Sequence, residues 1–354
     1  MTRKIVHVVA ALALTGAVLA ISAGTANAKP PPYVGVLYGL NNPRQLSFAA
    51  DGSLYLAEAG KGKVGASDQS GKCVTGPEGP SCAGDTGSII RILHPGTNPE
   101  GSRIIKHLLS LAGPDGTGAT GLDSVSVQGS HIYGIVTYGD PASLPTTVAN
   151  QNGKLLRFGP GRTGTAIADI GKYSLSHPLP GHDPDTDPYG VLASGADRFV
   201  ADAANNTLLN VLDGKISHVA TFEHRTQDPR DGVPTSIAEH NGRLYIGLLG
   251  SLDPGQGKVV VLNKSGQRVR VIAGLSSVNG VAVASNGDVY ATELFTGAPF
   301  GSPGALVKIP ANGGPRVVTP LPAPGGVAVG PHGGVYVSIN SVNVKTGAVV
   351  RMTN

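Results

Sequence analysis

Three acidic residues occupy matching positions in this sequence and could bind a metal ion together. Glu58, Asp202 and Glu293 each follow, by three residues, an aromatic residue that recurs along the chain. Ca²⁺ takes about six to eight oxygen ligands, and carboxylates supply them readily. The spacing therefore predicts a Ca²⁺ site if the fold brings the three acids to one opening. The alternative is that each carboxylate only accepts backbone N–H bonds from the loop beside it.

A second group of polar residues is predicted to contact a ligand near the same opening. Arg44 and Tyr189 each neighbour a proline in a connection that precedes a strand, and three asparagines stand at related points, Asn205, Asn279 and Asn340. A guanidinium binds a ligand carboxylate through two parallel hydrogen bonds. Pairing of Arg44 with an acid of a neighbouring loop is the alternative. The expected partner is a small molecule, a glycan or a protein.

Other apparent motifs do not indicate chemistry. Asp183, Asp185 and Asp187 alternate as in an EF-hand loop, but Pro188 replaces the loop glycine and Ser194 replaces the bidentate glutamate. Two Gly-x-Gly-x-x-Gly strings do not open a helix in a βαβ unit, so they are loop glycines. The sequence also lacks a nucleophile elbow, a zinc-protease string and a Walker A loop. It therefore names no catalytic residue, and whether the chain is an enzyme stays open.

The elements that must position these residues are strands of one repeated unit. An apolar six-residue string, first seen as Gly-Ser-Ile-Ile-Arg-Ile from Gly87, occurs six times. Ahead of each copy lies a hairpin pattern whose second strand centres on an aromatic residue. These aromatics are Tyr55, Tyr133, Phe199, Tyr245, Tyr290 and Tyr336. The last four are 46, 45 and 46 residues apart, which indicates a regular array.

Each unit supplies strands A, B and C, and a fourth strand, D, follows five of the six C strands. Residues 33–37 supply the sixth D strand from the N-terminal end. The sequence therefore predicts an all-β fold, a six-bladed β-propeller of four-stranded blades, closed by pairing of the N-terminal strand with the last blade. Residues 33–354 would form this single domain.

The long connections are predicted to gather on one face of the ring. Those between B and C strands are residues 59–87, 138–152, 249–257 and 295–304, and those between D and A strands are 112–121, 175–189 and 223–234. The turns on the other face are short. Because ordered long loops commonly carry function, the loop-bearing face is the predicted binding surface.

The first 28 residues have the character of a secretory signal peptide. Arg3 and Lys4 precede an apolar run that ends in Ala-Asn-Ala, which fits a signal-peptidase site. A membrane anchor is the alternative, but the run is short and rich in alanine. We expect cleavage near Ala28, a Pro-rich leader over residues 29–32, and secretion of the rest.

Charge and cysteine content narrow the set of partners. Cleavage would remove two of the 27 Lys and Arg residues and leave 25 against 23 Asp and Glu. This near balance of charge argues against nucleic acid as a partner. No later segment is long enough to insert into a membrane. We expect a monomer. Cys73 and Cys82 lie in one Gly- and Pro-rich stretch, and in an exported chain they are predicted to form a disulfide.

Several strings are more specific than a generic propeller pattern. They lie at residues 42–44, 54–59, 82–87, 187–193, 200–203 and 233–238. With these strings the sequence resembles the ScyD/ScyE family, exported propeller proteins of NHL- and SMP-30-like architecture. The string at 292–300 stands one blade later than in the family pattern, so site residues are not transferred. The resemblance implies the fold and names no reaction.

Two functions of different classes follow from these patterns. The first is an extracellular binding or scaffold propeller that contacts its ligand through the loop-bearing face. The second is a divalent-metal-dependent hydrolase or lyase of lactonase type, with the carboxylate cluster at the channel mouth as its metal ligands. Ca²⁺ is the one cofactor that the sequence suggests.

Overall fold

The chain consists of short strands whose side chains alternate between two faces, and turn residues separate these strands. The computed structural model describes residues 31–76, 79–222, 231–297 and 303–353. These residues form six antiparallel sheets in chain order, which are the blades of a β-propeller. The predicted signal peptide, residues 1–28, and the first two residues of the leader lie outside the described residues.

The strands follow the predicted repeat. Blade 1 contains β2 (Pro43–Phe48), β3 (Leu54–Glu58), β4 (Cys73–Gly76), β5 (Gly79–Leu93) and β6 (Glu100–Ala112). Blade 2 contains β7 (Leu122–Gln128), β8 (His131–Val136), β9 (Lys154–Phe158) and β10 (Gly164–Asp169). Blade 3 contains β11 (Pro188–Ser194), β12 (Asp197–Asp202), β13 (Thr207–Leu212) and β14 (Lys215–Thr221). Blade 4 contains β15 (Pro234–His240), β16 (Arg243–Leu248), β17 (Gly257–Asn263) and β18 (Arg268–Leu275). Blade 5 contains β19 (Val278–Val283), β20 (Val289–Glu293), β21 (Gly304–Ile309) and β22 (Val317–Leu321).

Blade 6 is completed by the N-terminal strand. It contains β23 (Val327–Val329), β24 (Val335–Ile339) and β25 (Gly347–Met352), and its outer strand is β1 (Tyr33–Leu40). Tyr33 pairs with Met352 and Leu40 with Gly347, so the two ends of the chain run antiparallel along the whole blade edge. The predicted closure is confirmed, and the closing strand continues to Leu40.

Apolar side chains fill the spaces between neighbouring blades. Between blades 6 and 1, Leu56 and Ile90 pack with Tyr336 and Val349 in one buried cluster. Burial of each such aliphatic side chain contributes about 1.5–3 kcal/mol relative to exposure. The blades therefore stabilise one another around the ring, and their innermost A strands are brought together at one axis.

One stretch predicted as a plain loop contains a β-hairpin. Within residues 59–87, β4 and the start of β5 form this hairpin, and the predicted disulfide between Cys73 and Cys82 lies across it. The loop prediction was wrong here because Gly-rich segments show no hydrophobic alternation, whereas strand pairing still orders this one. A short helix, α1 (Ile170–Ser176), begins after Asp169, whose side chain caps it, and leads into the predicted loop at residues 175–189.

Candidate functional site

A β-bulge near the start of the A strand recurs in blades 1 to 5. The pairing register of strand A with strand B shifts at this point. The A-strand residues that the shift leaves unpaired are Arg44 and Gln45, Asp123, Tyr189, Thr235 and Asn279. A bulge leaves its extra residue unpaired and re-aims the side chain. Contacts join blade 1 to blade 3 and blade 3 to blade 5, so side chains from these bulges meet at the axis. We call Arg44, Asp123, Tyr189, Thr235 and Asn279 the axial layer.

Arg44 links Asp123, Tyr189 and, through Tyr189, Asn279 in the axial layer, whereas Thr235 donates to the backbone carbonyl of Val278. Nη1 of Arg44 donates to Oη of Tyr189 at 3.3 Å, and its Nη2 donates to the carbonyl oxygen of Ala119. Its Nε lies 3.4 Å from Oδ1 of Asp123, and both side chains are fully buried. Oη of Tyr189 donates in turn to Oδ1 of Asn279 at 3.2 Å. The structure thus brings together three of the five predicted ligand-binding residues, and they bind one another.

Arg44 and Tyr189 were predicted to lie in connecting loops, and that prediction was wrong. They are the second residues of β2 and β11, directly after Pro43 and Pro188. Proline lacks an N–H but is tolerated as the first residue of a strand. The proline therefore marks the entry to each A strand rather than a loop.

Burial of the axial layer shifts its proton equilibria. Loss of water raises the pKa of Asp123 to about 6, although the Arg44 guanidinium and the N–H of Gly121 favour the charged form. Burial raises the pKa of Tyr189 to about 12, against the influence of Arg44. Burial, reinforced by the charge of Asp123, raises the pKa of Asp187 well above its usual value. The channel entrance therefore holds a buried ion pair beside an acid that resists ionisation.

Glu58, the first predicted metal ligand, ends β3 and is 1% exposed. Arg103 donates from Nη2 to Oε1 and from Nε to Oε2, each at 2.7 Å. Ser88 Oγ donates to Oε2 at 2.6 Å, and the N–H of Asn41 donates to Oε1 at 2.8 Å. A carboxylate offers about four lone-pair sites, so these bonds occupy Glu58 fully.

Asp202 ends β12 and is occupied in the same way. Its Oδ1 accepts the N–H groups of Asp187 at 2.8 Å and Asn205 at 3.2 Å. Its Oδ2 accepts the hydroxyls of Ser174 at 2.6 Å and Thr186 at 2.7 Å. Burial raises the pKa of Asp202 despite these donors. Asn205, a predicted ligand contact, instead contributes its backbone to this cap.

The remaining predicted site residues also bind their own surroundings. Oε1 of Glu293 accepts the N–H of Ser276 at 2.7 Å, and burial raises the pKa of Glu293. Nδ2 of Asn340 donates to the carbonyl of Thr346 at 3.0 Å. Within the described ranges, no group of three or more His, Cys, Asp or Glu side chains is placed to hold a metal ion. Each of the three acids accepts at least one backbone N–H bond, as the loop-capping alternative expects, and Glu58 and Asp202 accept side-chain donors as well.

Farther along the A strands from the axial layer, the channel contains a cavity of about 60 Å³. Its lining comes from the A strands of all six blades and includes the hydroxyls of Ser47, Ser124, Ser126 and Ser236. This volume suits a few water molecules, whereas pockets for small-molecule ligands usually measure about 300–1,000 Å³. The axial cavity is therefore too small for such a ligand.

The long connections of blades 1 and 2 join into one surface on the loop-bearing face. We call this surface the ledge, and it comprises residues 61–76 and 138–152. The N–H of Lys72 donates to the carbonyl of Ser143 at 2.8 Å. Oγ1 of Thr147 donates to Oδ2 of Asp68 at 2.7 Å. With the disulfide holding β4 to β5, the ledge is tied both within blade 1 and across to blade 2.

Asp123 and Thr235 are the two members of the axial layer that the repeat pattern did not indicate as site residues. Asp123 stands at the same place in β7 as Arg44 does in β2, so alignment of the A strands offers a signal that would have paired them. The bulge that turns both side chains inward has no visible signature in the sequence.

Comparisons with known proteins agree on the architecture. No protein-family model and no curated protein matches this chain. A luciferin-regenerating enzyme is similar in structure, with 10% identity, coverage of 91% of this chain and 95% of that one, and a TM-score of 0.52. The chain shares its six-bladed propeller fold. Regucalcin, a calcium-binding protein from Agrobacterium tumefaciens, is 11% identical over 91% of this chain and 94% of that one, with a TM-score of 0.48. Streptogramin B lyase is 12% identical over 90% and 95%, with a TM-score of 0.46.

These likenesses concern the fold alone, because sequence identity is too low to carry residues or activity across. In the part of the chain that the structure describes, no helix is both long and apolar enough to cross a membrane.

Proposed function

We propose that this chain is an exported propeller of the ScyD/ScyE type that binds an extracellular glycan on its loop-bearing face. The observation that carries the proposal is the ledge, whose two long connections are tied by the Lys72–Ser143 bond and the disulfide. Ordering a long loop costs conformational free energy. A surface that is ordered in advance binds without that cost, which is the expected design of a recognition site.

The chemistry of the ledge favours a glycan over other partners. Seven of its exposed side chains carry a hydroxyl or an amide: Ser67, Gln69, Ser70, Thr75, Thr146, Thr147 and Asn150. Such groups both donate and accept hydrogen bonds, as sugar hydroxyls do. The exposed charges are mixed in sign, with Lys72 and Asp140 among them. A neutral, hydroxyl-rich polymer is therefore the best complement.

The alternative function, a metal-dependent hydrolase or lyase, has weaker support. Glu58 and Asp202 each accept four short hydrogen bonds, and a cation would have to displace those donors. Burial also disfavours the charged form of Asp202. These contacts support a structural role for the acids and a binding role for the face that they stabilise.

Export of the chain is part of the proposal. A disulfide such as Cys73–Cys82 persists in oxidising compartments and is rare in the cytosol. The signal-like composition of residues 1–28 supports the same compartment.

The test measures retention of the purified chain, starting at Lys29, on insoluble cellulose, chitin, xylan and peptidoglycan. We expect retention on at least one polymer, unchanged by a calcium chelator. Gln69→Arg, which places a bulky charge on the ledge, should reduce retention about fivefold or more. The matched control is Ser265→Arg, in an exposed turn of blade 4 outside the ledge. Equal retention of the two variants, or chelator-sensitive lactone hydrolysis that Asp202→Asn abolishes without retention on any polymer, would contradict the proposal.

A further inference from the structure

A second cavity lies between blades 6 and 1 on the face opposite the ledge. It measures about 480 Å³ and is bounded by the A–B turns of the two blades and the C–D turn of blade 1. Those turns lie at residues 49–53, 330–334 and 94–99. The volume is within the range of about 300–1,000 Å³ typical of small-molecule sites.

Arg351 gives this cavity a cation that no carboxylate of the described residues neutralises. Its Nη1 donates to the carbonyl oxygen of Gly96 at 2.9 Å, which fixes the guanidinium at the cavity wall. Among the described residues no carboxylate pairs with Arg351, and neither Nε nor Nη2 donates a hydrogen bond. One edge of the guanidinium therefore remains available for two parallel hydrogen bonds.

Arg91, the other arginine of the cavity, is occupied. Its Nη2 donates to Oδ2 of Asp51 at 2.7 Å and to Oγ of Ser53 at 3.0 Å. Its charge is balanced by Asp51, so the Arg and Asp side chains of the lining sum to the single positive charge of Arg351. The cavity is thus suited to a monoanion.

The rest of the lining is suited to a ring. Phe48 and Tyr336 pack edge to face with their centroids 5.2 Å apart, and Pro95 and Pro331 add apolar surface. The hydroxyl of Thr97 adds a polar contact at the same wall. Apolar surface beside hydroxyl and guanidinium groups is the usual composition of a site for a polar ring compound.

We propose that this cavity binds a monosaccharide-sized ring carboxylate, such as a uronic acid, through the free edge of Arg351. The carboxylate accepts two hydrogen bonds from Nε and Nη2, and the ring lies against the aromatic and proline surface. This site is separate from the ledge and does not depend on the glycan that the ledge binds.

The repeat supplies a matched control for this proposal. In three blades an arginine of strand C pairs across the sheet with the blade aromatic: Tyr55 with Arg91, Tyr133 with Arg157 and Tyr336 with Arg351. The pair itself is therefore a common structural device. Arg157 is exposed and does not line the cavity, so it tests the effect of losing such an arginine without affecting the site.

The experiment is a calorimetric titration of the purified chain with D-glucuronate at low salt, with D-glucose and acetate as comparison ligands. Glucuronate should bind one-to-one and about tenfold or more tighter than either comparison ligand. Arg351→Gln should weaken glucuronate binding about tenfold or more, whereas Arg157→Gln should leave it unchanged. Because Arg351 also holds Gly96, a second variant, His332→Glu at an exposed rim position, places a negative charge by the site and should weaken binding similarly.

Three results would overturn the proposal. They are equal affinity for glucuronate and glucose, full glucuronate affinity in a folded Arg351→Gln protein, and no effect of His332→Glu. Thermal unfolding of each variant confirms that loss of binding is not loss of fold.

Discussion

The two faces of the propeller use arginine in opposite ways. At the channel entrance Arg44 is fully buried, and its Nε lies 3.4 Å from Oδ1 of Asp123. The guanidinium also donates to Tyr189 and Ala119, so its charge and its donors are paired within the protein. On the other face, among the described residues, Arg351 donates one hydrogen bond, to Gly96, and pairs with no acid. A charged residue near an opening therefore indicates a ligand only when its own partners leave it a free hydrogen-bonding edge.

The largest expected effect comes from breaking the buried pair at the channel entrance. Arg44→Met should lower the free energy of unfolding by about 3–5 kcal/mol, because it leaves Asp123 buried without its partner. Urea denaturation measures the change. Adding Asp123→Leu should restore much of the loss, whereas Arg351→Gln alone should cost less than about 1 kcal/mol. Similar losses of unfolding free energy in the two arginine variants would contradict the difference between the two faces.

Opening the disulfide should have the next largest effect and should act on the ledge. Replacing Cys73 and Cys82 by serine removes a cross-link over a sequence separation of 9 residues, worth about 2–3 kcal/mol on the chain-entropy account. The hairpin of β4 and β5 should become more susceptible to proteolysis while the ring stays folded. Proteolysis followed by mass spectrometry locates the cuts, and cleavage first at β1 or β25 would contradict this assignment.

A smaller effect is expected from the capping acids. Glu58→Gln should lower the free energy of unfolding by about 2 kcal/mol, because the amide cannot accept both Arg103 bonds. Glu293→Gln, which disturbs one backbone hydrogen bond, should cost about 0.5 kcal/mol. Chemical denaturation of both variants checks this order. If the Glu293 variant loses as much stability as the Glu58 variant, partner number does not explain the role of these acids.

The axial layer should give a pH dependence of stability that is smaller than the effect of Glu58→Gln. Because burial raises the pKa of Asp123 to about 6 from 3.8, the folded protein takes up this proton at higher pH than the unfolded chain. Protonation therefore favours folding, and this carboxyl should add about 1 kcal/mol of stability as the pH falls from about 7.5 to about 5. Thermal unfolding of the wild type and Asp123→Asn at both pH values measures the change. The stability difference between the two proteins should shift toward the wild type at the lower pH, and a constant difference would contradict it.

The sequence predicted the ring well because its information is periodic. The aromatic spacing, the apolar strings and the turn pairs all report local geometry, and the pairing of Tyr33–Leu40 with β25 follows from counting strands. The disulfide followed from composition and is confirmed. These features need no knowledge of contacts across the ring.

The candidate site was harder to predict because its contacts cross the ring. Arg44 and Asp123 are separated by one whole blade in sequence, and only the bulges in β2 and β7 turn them toward the axis. The partners of Glu58 come from two other strands of the blade, β5 and β6, and from the connection before β2. Residue type and spacing indicated where these acids lie, but not that their lone pairs are already used.

Hydrogen exchange with and without a retained polysaccharide reports on both the ledge and the channel entrance in one measurement. We expect increased protection of residues 61–76 and 138–152 on binding, with β2 and β11 at the axial layer unchanged. Protection confined to the segments that carry Arg44 and Tyr189, with the ledge unaffected, would show that the ligand enters the channel and would contradict binding at the ledge.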